Sequence, residues 1–293
     1  MINSETQITA TIDWLSVTMK PEMGEWRGLH YPSAWTRTCV PMERGMLNYN
    51  RGVEYTDGRI ELWHDKREEM GAHLIMGGEC LRRVQIEYST TIPEIVSFFS
   101  YCRPSRIDLV IDIKHGSLDI SKLAADLSEN KCSTRAIGGL HLKAVGSKGE
   151  TLYVGSKGAE RRLRVYDKAA ESGQDYEWTR VELQVRHKMA SRVMATLIAK
   201  DTSPSVIAGL INDFAKWESN RDWAVAMGGE SVSMGRAEAI ESNRKRWILD
   251  TVARSIANEY MDGTLDIMQS LKRRVNTFIS IAEIEIVDRN REV

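Results

Sequence analysis

Three short segments alternate mainly apolar with mainly polar residues: RIDLVIDI at 106–113, LRVYDK at 163–168 and TRVELQVR at 179–186. Successive side chains on a strand leave opposite faces, so a period of two commits each segment to a strand with one buried side. In the first, Ile107, Leu109, Ile111 and Ile113 share one face, and Arg106, Asp108, Val110 and Asp112 share the other. Leu163 and Val165 oppose Arg164, Tyr166 and Lys168, while Val181, Leu183 and Val185 oppose Arg180, Glu182, Gln184 and Arg186.

If the three strands lie in one sheet, its polar face gathers Asp108, Asp112, Glu182, Tyr166, Lys168 and several arginines. Carboxylate oxygens suit a hard divalent cation, Mg²⁺ or Mn²⁺. Such an ion can hold a phosphate oxygen and stabilise the charge that builds during in-line attack. A tyrosine is a weak nucleophile at neutral pH because its ordinary pKa is about 10. A nearby Lys168 and a metal favour the phenolate, and arginines clamp phosphate. The same alternation is also what an antiparallel sheet with one solvated face requires, with Asp108 and Asp112 merely paired to Arg106 or Arg164.

Around these segments the pattern predicts an α+β fold, mainly antiparallel sheet with packed helices. Strands are expected at 8–19, 59–64, 72–76, 136–145, 150–155 and 178–186. Residues 24–55 read as loops with a short helix. Helices are expected at 91–101, with Thr91 as N-cap, and at 119–129 and 188–199. The order suggests two related α+β units sharing one sheet. After residue 200 the pattern turns helical, at 203–218, 219–227, 235–260 and 263–277, and 278–287 fits a strand or a helix. The expected organisation is therefore a domain over 1–200 and a helical region over 201–293.

The net charge of the 293-residue chain is −1, which argues against a bulk, histone-like nucleic-acid binder. A local basic groove remains open to it, since only charge near the phosphates matters. Lys157, Arg161, Arg162 and Arg164 surround the Tyr166 segment, Arg106 and Arg180 flank it, and Arg82 and Arg83 follow Gly77-Gly78. Trp26, Trp35 and Trp63 can stack bases or fill the core, and Lys245, Arg246, Lys272, Arg273 and Arg274 can meet duplex DNA or a partner. Cys39, Cys80, Cys102 and Cys132 form no CxxC pair, so buried reduced thiols are expected. No basic-then-apolar leader and no apolar run of about 20 residues is present, so a membrane is not an expected partner and a cytoplasmic location is. A phosphate-binding Walker glycine loop is also absent, so ATP hydrolysis is not expected.

The order RIDLVIDI, then TLYVGSKGAERRLRVYDKAAE, then WTRVELQVRHK resembles the Rep_trans group of replication initiation factors, over roughly residues 10–200. IDWLSVTM and HLIMGGECLRR upstream resemble its phage members. The resemblance implies a layout like that of the His-hydrophobe-His nucleases, although the six histidines of this chain are well separated and that motif is missing. It implies that Tyr166 nicks single-stranded or extruded origin DNA, keeping the 5′ phosphate and freeing a 3′-OH, and that Lys168 assists. Asp108, Asp112 and Glu182 would line a site for Mg²⁺ or Mn²⁺, which His73, His141 or His187 can complete. Gln184 departs from the acidic residue usual in the plasmid members. A bacterial host's helicase and polymerase would be partners, and a single nucleophile makes a homodimer an expectation. The alternatives are a relaxase of an integrative element with the same chemistry, a non-catalytic DNA-binding regulator on the same fold, and a carboxylate hydrolase unrelated to DNA.

Overall fold

The structure is a computed structural model, and it describes residues 2–19, 39–63, 67–87, 89–100, 102–136, 141–146 and 149–234. By contacts the chain divides into Met1–Met234 and Gly235–Val293. The helices expected at 235–260 and 263–277, the segment 278–287, Trp26, Trp35 and the basic residues beyond 244 lie outside the described residues.

The first unit is built on a ten-stranded sheet. In chain order its strands are β1 (Gln7–Met19), β2 (Cys39–Pro41), β3 (Arg51–Tyr55), β4 (Ile60–Trp63), β5 (Ala72–Gly77), β6 (Arg103–Lys114), β8 (His141–Gly146), β9 (Gly149–Val154), β10 (Arg161–Asp167) and β11 (Trp178–Arg186). Two short strands, β7 (Ser133–Thr134) and β12 (Ala215–Lys216), pair apart from it. The spatial order is β2-β3-β4-β5-β1-β6-β11-β10-β9-β8, and every pairing is antiparallel.

That order contains one plan used twice. A long strand, β1 or β6, is followed by a four-strand meander whose last member returns to pair with it, and the two long strands pair at the centre. Two related α+β units thus share one sheet.

Alternation makes the sheet two-faced. Ile107, Leu109, Ile111, Ile113, Leu163, Val165, Val181, Leu183 and Val185 are all fully buried on one side. They share a continuous core with residues of α2 (Ile92–Phe98), α3 (Ile120–Ser128), α5 (His187–Ala199), α6 (Pro204–Phe214) and α7 (Arg221–Met227). Local chemistry starts these helices where the chain needs them. Thr91 and Glu94 form a reciprocal capping box on α2, Asp119 accepts from the Lys122 amide at 2.8 Å, and Asn220 accepts from that of Trp223 at 3.0 Å.

At Gly77-Gly78 strand β5 gives way to α1 (Gly78–Glu87), which buries Cys80, Leu81 and Val84. Three expectations need correction. Strands β2 and β3 occupy part of 24–55, which lacked a period because a short edge hairpin buries little. The boundary expected at residue 200 falls inside one compact body. From Ile207 to Phe214 every residue of α6 is buried, and a helix covered all round must pack into its neighbours, here β1, β6 and β10. Finally, Cys80 and Cys102 are buried thiols, but Cys39 is exposed on β2. Among the described residues no helix is long and apolar enough to cross a membrane.

Candidate nucleic-acid site on the polar face of the sheet

The opposite face of β6, β11 and β10 carries the polar set, in register. Asp112 lies across from Arg180, which lies across from Tyr166. Val110 faces Glu182, which faces Arg164, and Asp108 faces Gln184, which faces Arg162. One sheet face therefore brings together Arg106, Asp108, Asp112, Arg162, Arg164, Tyr166, Arg180 and Glu182.

Tyr166 is 3% exposed. The Arg164 guanidinium lies 4.0 Å from its ring centroid, and Lys168 Nζ lies 5.8 Å from it. Burial pushes the phenol pKa up, and the Glu182 charge adds to that, against the pull of Arg164 and Arg180. Loss of water around the ring thus works against the phenolate that the nearby cations favour. Lys168 is the first residue of α4 (Lys168–Ser172), which Asp167 caps by accepting from the Ala170 amide at 2.9 Å. The cap ends β10 one residue after Tyr166 and sets Lys168 beside it, with Nζ 2.5 Å from Glu171.

Each expected metal-binding carboxylate is already held by an arginine. Arg106 grips Asp108 through Nε at 2.9 Å and Nη2 at 2.5 Å. Arg180 grips Asp112 through Nε at 2.7 Å and Nη2 at 2.8 Å, and Trp178 Nε1 donates to the same carboxylate at 2.7 Å. Arg164 reaches Glu182 at 2.8 Å. Asp108 is buried, which pushes its pKa up to about 6 although Arg106 opposes this.

Asp108 and Asp112 stand four residues apart on one strand, about 13 Å, which is too far for both to reach one ion at ligand distance. Among the described residues no three His, Cys, Asp or Glu side chains gather around a common point that could hold a metal. The set Asp108, Asp112 and Glu182 has the hard oxygens a divalent cation prefers, but as placed it does not form a cage for one. Among the described side chains, neither His73 nor His187 joins it. His73 lies on β5 in the other half, 3.0 Å from Thr18 Oγ1, His187 opens α5, and the side chain of His141 is outside the described residues.

The basic set divides as well. Arg162 stacks 4.0 Å over Tyr153 on the polar face. Arg161 falls on the other face, with its guanidinium 5.2 Å from the Phe214 ring of α6, because its parity is that of Leu163 and Val165. Lys157 is exposed in the hairpin between β9 and β10, where its carbonyl accepts from Arg186 at 3.3 Å, at the end of β10 away from Tyr166.

Several residues of the site carried no motif signal. Asp13 sits at a register shift in β1, between Ile12 and Trp14, where a bulge re-aims the side chain. It accepts from Arg180 at 3.1 Å and lies 3.8 Å from Arg82. Burial pushes its carboxyl up, opposed by Arg180. A Cβ at 78 would lie 2.0 Å from Asp13 Oδ1, so any larger residue there has to displace the Asp13 carboxylate. Trp14 packs under Arg106 at 4.3 Å, and Trp178 lies among Lys114, Lys168 and Arg180. Asp13, Asp112, Lys168, Trp178 and Arg180 border a cleft of about 500 Å³. A face of this kind, with guanidinium forks, ring faces and a buried phenol, can hold a phosphodiester strand and its bases.

Comparison with known proteins agrees with this geometry. No curated protein matches the sequence. Among solved structures, a rolling circle replication initiator protein from Geobacillus stearothermophilus superposes with a TM-score of 0.61 at 20% identity, covering 78% of this chain and 94% of that one. At that identity the likeness establishes the α+β fold. The profile of the replication initiation factors, Rep_trans, matches residues 103–273, which includes β6, β10 and β11. On that match, the chain belongs to the replication initiation factor family.

Proposed function

We propose that this chain is a rolling-circle initiator that nicks single-stranded or extruded origin DNA, with Tyr166 as the nucleophile. The observation that carries the reading is the position of Tyr166, directly across from Arg180, beneath Arg164 and beside Lys168, within the segment the family profile matches.

The phenol oxygen attacks the scissile phosphorus and the P–O3′ bond breaks. The DNA 3′ oxygen leaves and takes up a proton, and the 5′ phosphate stays on Tyr166. The phenolic proton passes to Glu182, whose charge already acts on the ring. Arg164, Arg180 and Lys168 offset the charge on the phosphate oxygens, and Arg106 and Arg162 hold neighbouring phosphates. The freed 3′-OH is what a host polymerase extends, and its later attack on the phosphotyrosine recloses the strand. Because Tyr166 is buried, the Arg164 or Lys168 side chain must move aside when a phosphate enters.

Among the described residues Asp108, Asp112 and Glu182 carry the oxygens a divalent cation would take, and they do not gather around one point as placed. Dependence on Mg²⁺ or Mn²⁺ is decided by the chelator arm of the test below. Homodimer formation, which a one-tyrosine enzyme can use to finish its cycle, belongs to the same proposal.

The test incubates the protein with labelled single-stranded origin DNA, with Mn²⁺, Mg²⁺ or EDTA, and looks for an SDS-stable adduct. The expected result is an adduct with the native chain and none with Tyr166→Phe. An adduct that persists in Tyr166→Phe overturns the assignment, and cleavage unaffected by EDTA removes the cation. A second reading, a DNA-binding regulator on the same fold, is favoured by the burial of Tyr166. It predicts single-strand binding with no adduct from the native chain.

A further inference from the structure

We propose that Trp178, Tyr176 and His115 form a stacking ladder that receives the unpaired bases next to the phosphate held at Tyr166. The ladder rests on the reading of Tyr166 above and extends it to a second subsite.

The geometry begins on β11. Trp178 shares the polar face with Arg180, and Arg180 lies directly across from Tyr166. Trp178 therefore sits one face-repeat beyond the tyrosine, about 6.7 Å along the strand, close to the step between nucleotides of an unstacked single strand. The Tyr176 ring lies nearly parallel to it, with centroids 6.1 Å apart and planes at 11°. His115 follows at 5.0 Å and 31°. The three rings grow more accessible along the row: Trp178 and Tyr176 are half-buried and His115 is exposed.

None of the three belongs to the apolar core. Their mounts are nevertheless fixed. Trp178 Nε1 is tied to Asp112, the His115 amide donates to Glu177 O at 2.9 Å, and the His115 carbonyl accepts from Thr6 Oγ1 at 3.2 Å. Rings stacked on one another outside the core, half-buried at Trp178 and Tyr176 and exposed at His115, are a platform rather than packing.

Charge identifies the occupant. Lys114 Nζ lies 4.5 Å from the Trp178 centroid, the Arg180 guanidinium 5.6 Å and Lys168 Nζ 5.9 Å. Aromatic faces interleaved with cations suit a chain of planar bases joined by phosphates. A duplex offers few open base faces, so the ligand is a single strand.

The experiment measures binding of a fluorescein-labelled thymidine dodecamer, and of an abasic strand of equal length, by anisotropy at fixed salt. It uses the full chain and needs no cleavage. Tyr176→Ala should weaken the thymidine strand about five- to hundredfold, as loss of one base–aromatic stack does, and leave the abasic strand unchanged. Tyr176→Phe, which keeps the ring, should bind as the native chain. If Tyr176→Ala weakens both strands equally, or neither, the ladder is wrong. The adduct assay is read separately. An adduct without a stacking signal rejects the ladder alone, and a stacking signal without an adduct rejects the nucleophile alone.

Discussion

The two halves of the sheet follow one plan, yet they put different chemistry at matching positions. In the first, the row across the long strand, its partner and the next strand reads Thr18, His73, Leu62. In the second the corresponding row reads Asp112, Arg180, Tyr166. Both rows lie near the C-terminal end of their long strand, on the same face. The first is a neutral hydrogen bond beside a leucine, and the second is an ion pair beside a phenol. The apolar face has to be the same kind of surface in both halves, because helices cover it. The other face is free to differ, and in the second half it gathers guanidinium-held carboxylates around a buried phenol.

The largest test of this difference is loss of the phenol. Tyr166→Phe should remove covalent adduct formation to background while leaving the urea midpoint close to that of the native chain. A mid-sized residual activity would show that the second half does not own the chemistry.

Breaking each row at its middle comes next. Arg180→Ala strands Asp112, which is 7% exposed, and should cost about 3–5 kcal/mol, as removal of one partner of a buried ion pair does. Chemical denaturation measures it, and a loss below about 1 kcal/mol would mean that the row is not a buried charged unit.

A pH effect of intermediate size belongs to the first half. Burial, with Arg103 adding to it, lowers the His73 pKa from 6.5 to about 4. The unfolded chain thus binds this proton more readily than the folded one. The stability is fully present above pH 6.5 and drains away as the pH falls toward 4, by up to about 3 kcal/mol in all. His73→Gln should flatten that part of the stability–pH curve, and an unchanged slope would place its origin elsewhere. The smallest effect is expected from Thr18→Val, which removes one hydrogen bond to His73 and should cost about 1 kcal/mol. If it equals the cost of Arg180→Ala, the contrast between the rows fails.

What could be read before folding follows from parity. A period of two in RIDLVIDI, LRVYDK and TRVELQVR was enough to assign faces, and Ile107, Leu109, Ile111, Ile113, Leu163, Val165, Val181, Leu183 and Val185 are all buried on the side that parity demands. The same parity puts Arg161 away from Tyr166, which sequence proximity alone obscured. Caps were legible too, at Thr91 and near Asp119, because they act within one turn. The edge hairpin of β2 and β3 was not, since an edge strand buries too little to impose a pattern. The close approach of Gly78 to Asp13 was not legible either, because Asp13 lies on another strand.

The sequence by itself determined which side chains share a face, because alternation is a local property of an extended backbone. It also carried the motif order by which the family is recognised. Only the tertiary structure decided which of those side chains touch. Strand order and register pair Asp112 with Arg180 and Glu182 with Arg164, while Arg106 grips Asp108 from two residues along the same strand, and the expected set of open metal ligands becomes three guanidinium-held carboxylates. A bulge in β1 brings Asp13 in from more than ninety residues away, and burial together with the Glu182 charge raises the Tyr166 phenol against the pull of Arg164 and Arg180. Contacts and desolvation depend on what lies across the sheet, and that partner is chosen by the fold.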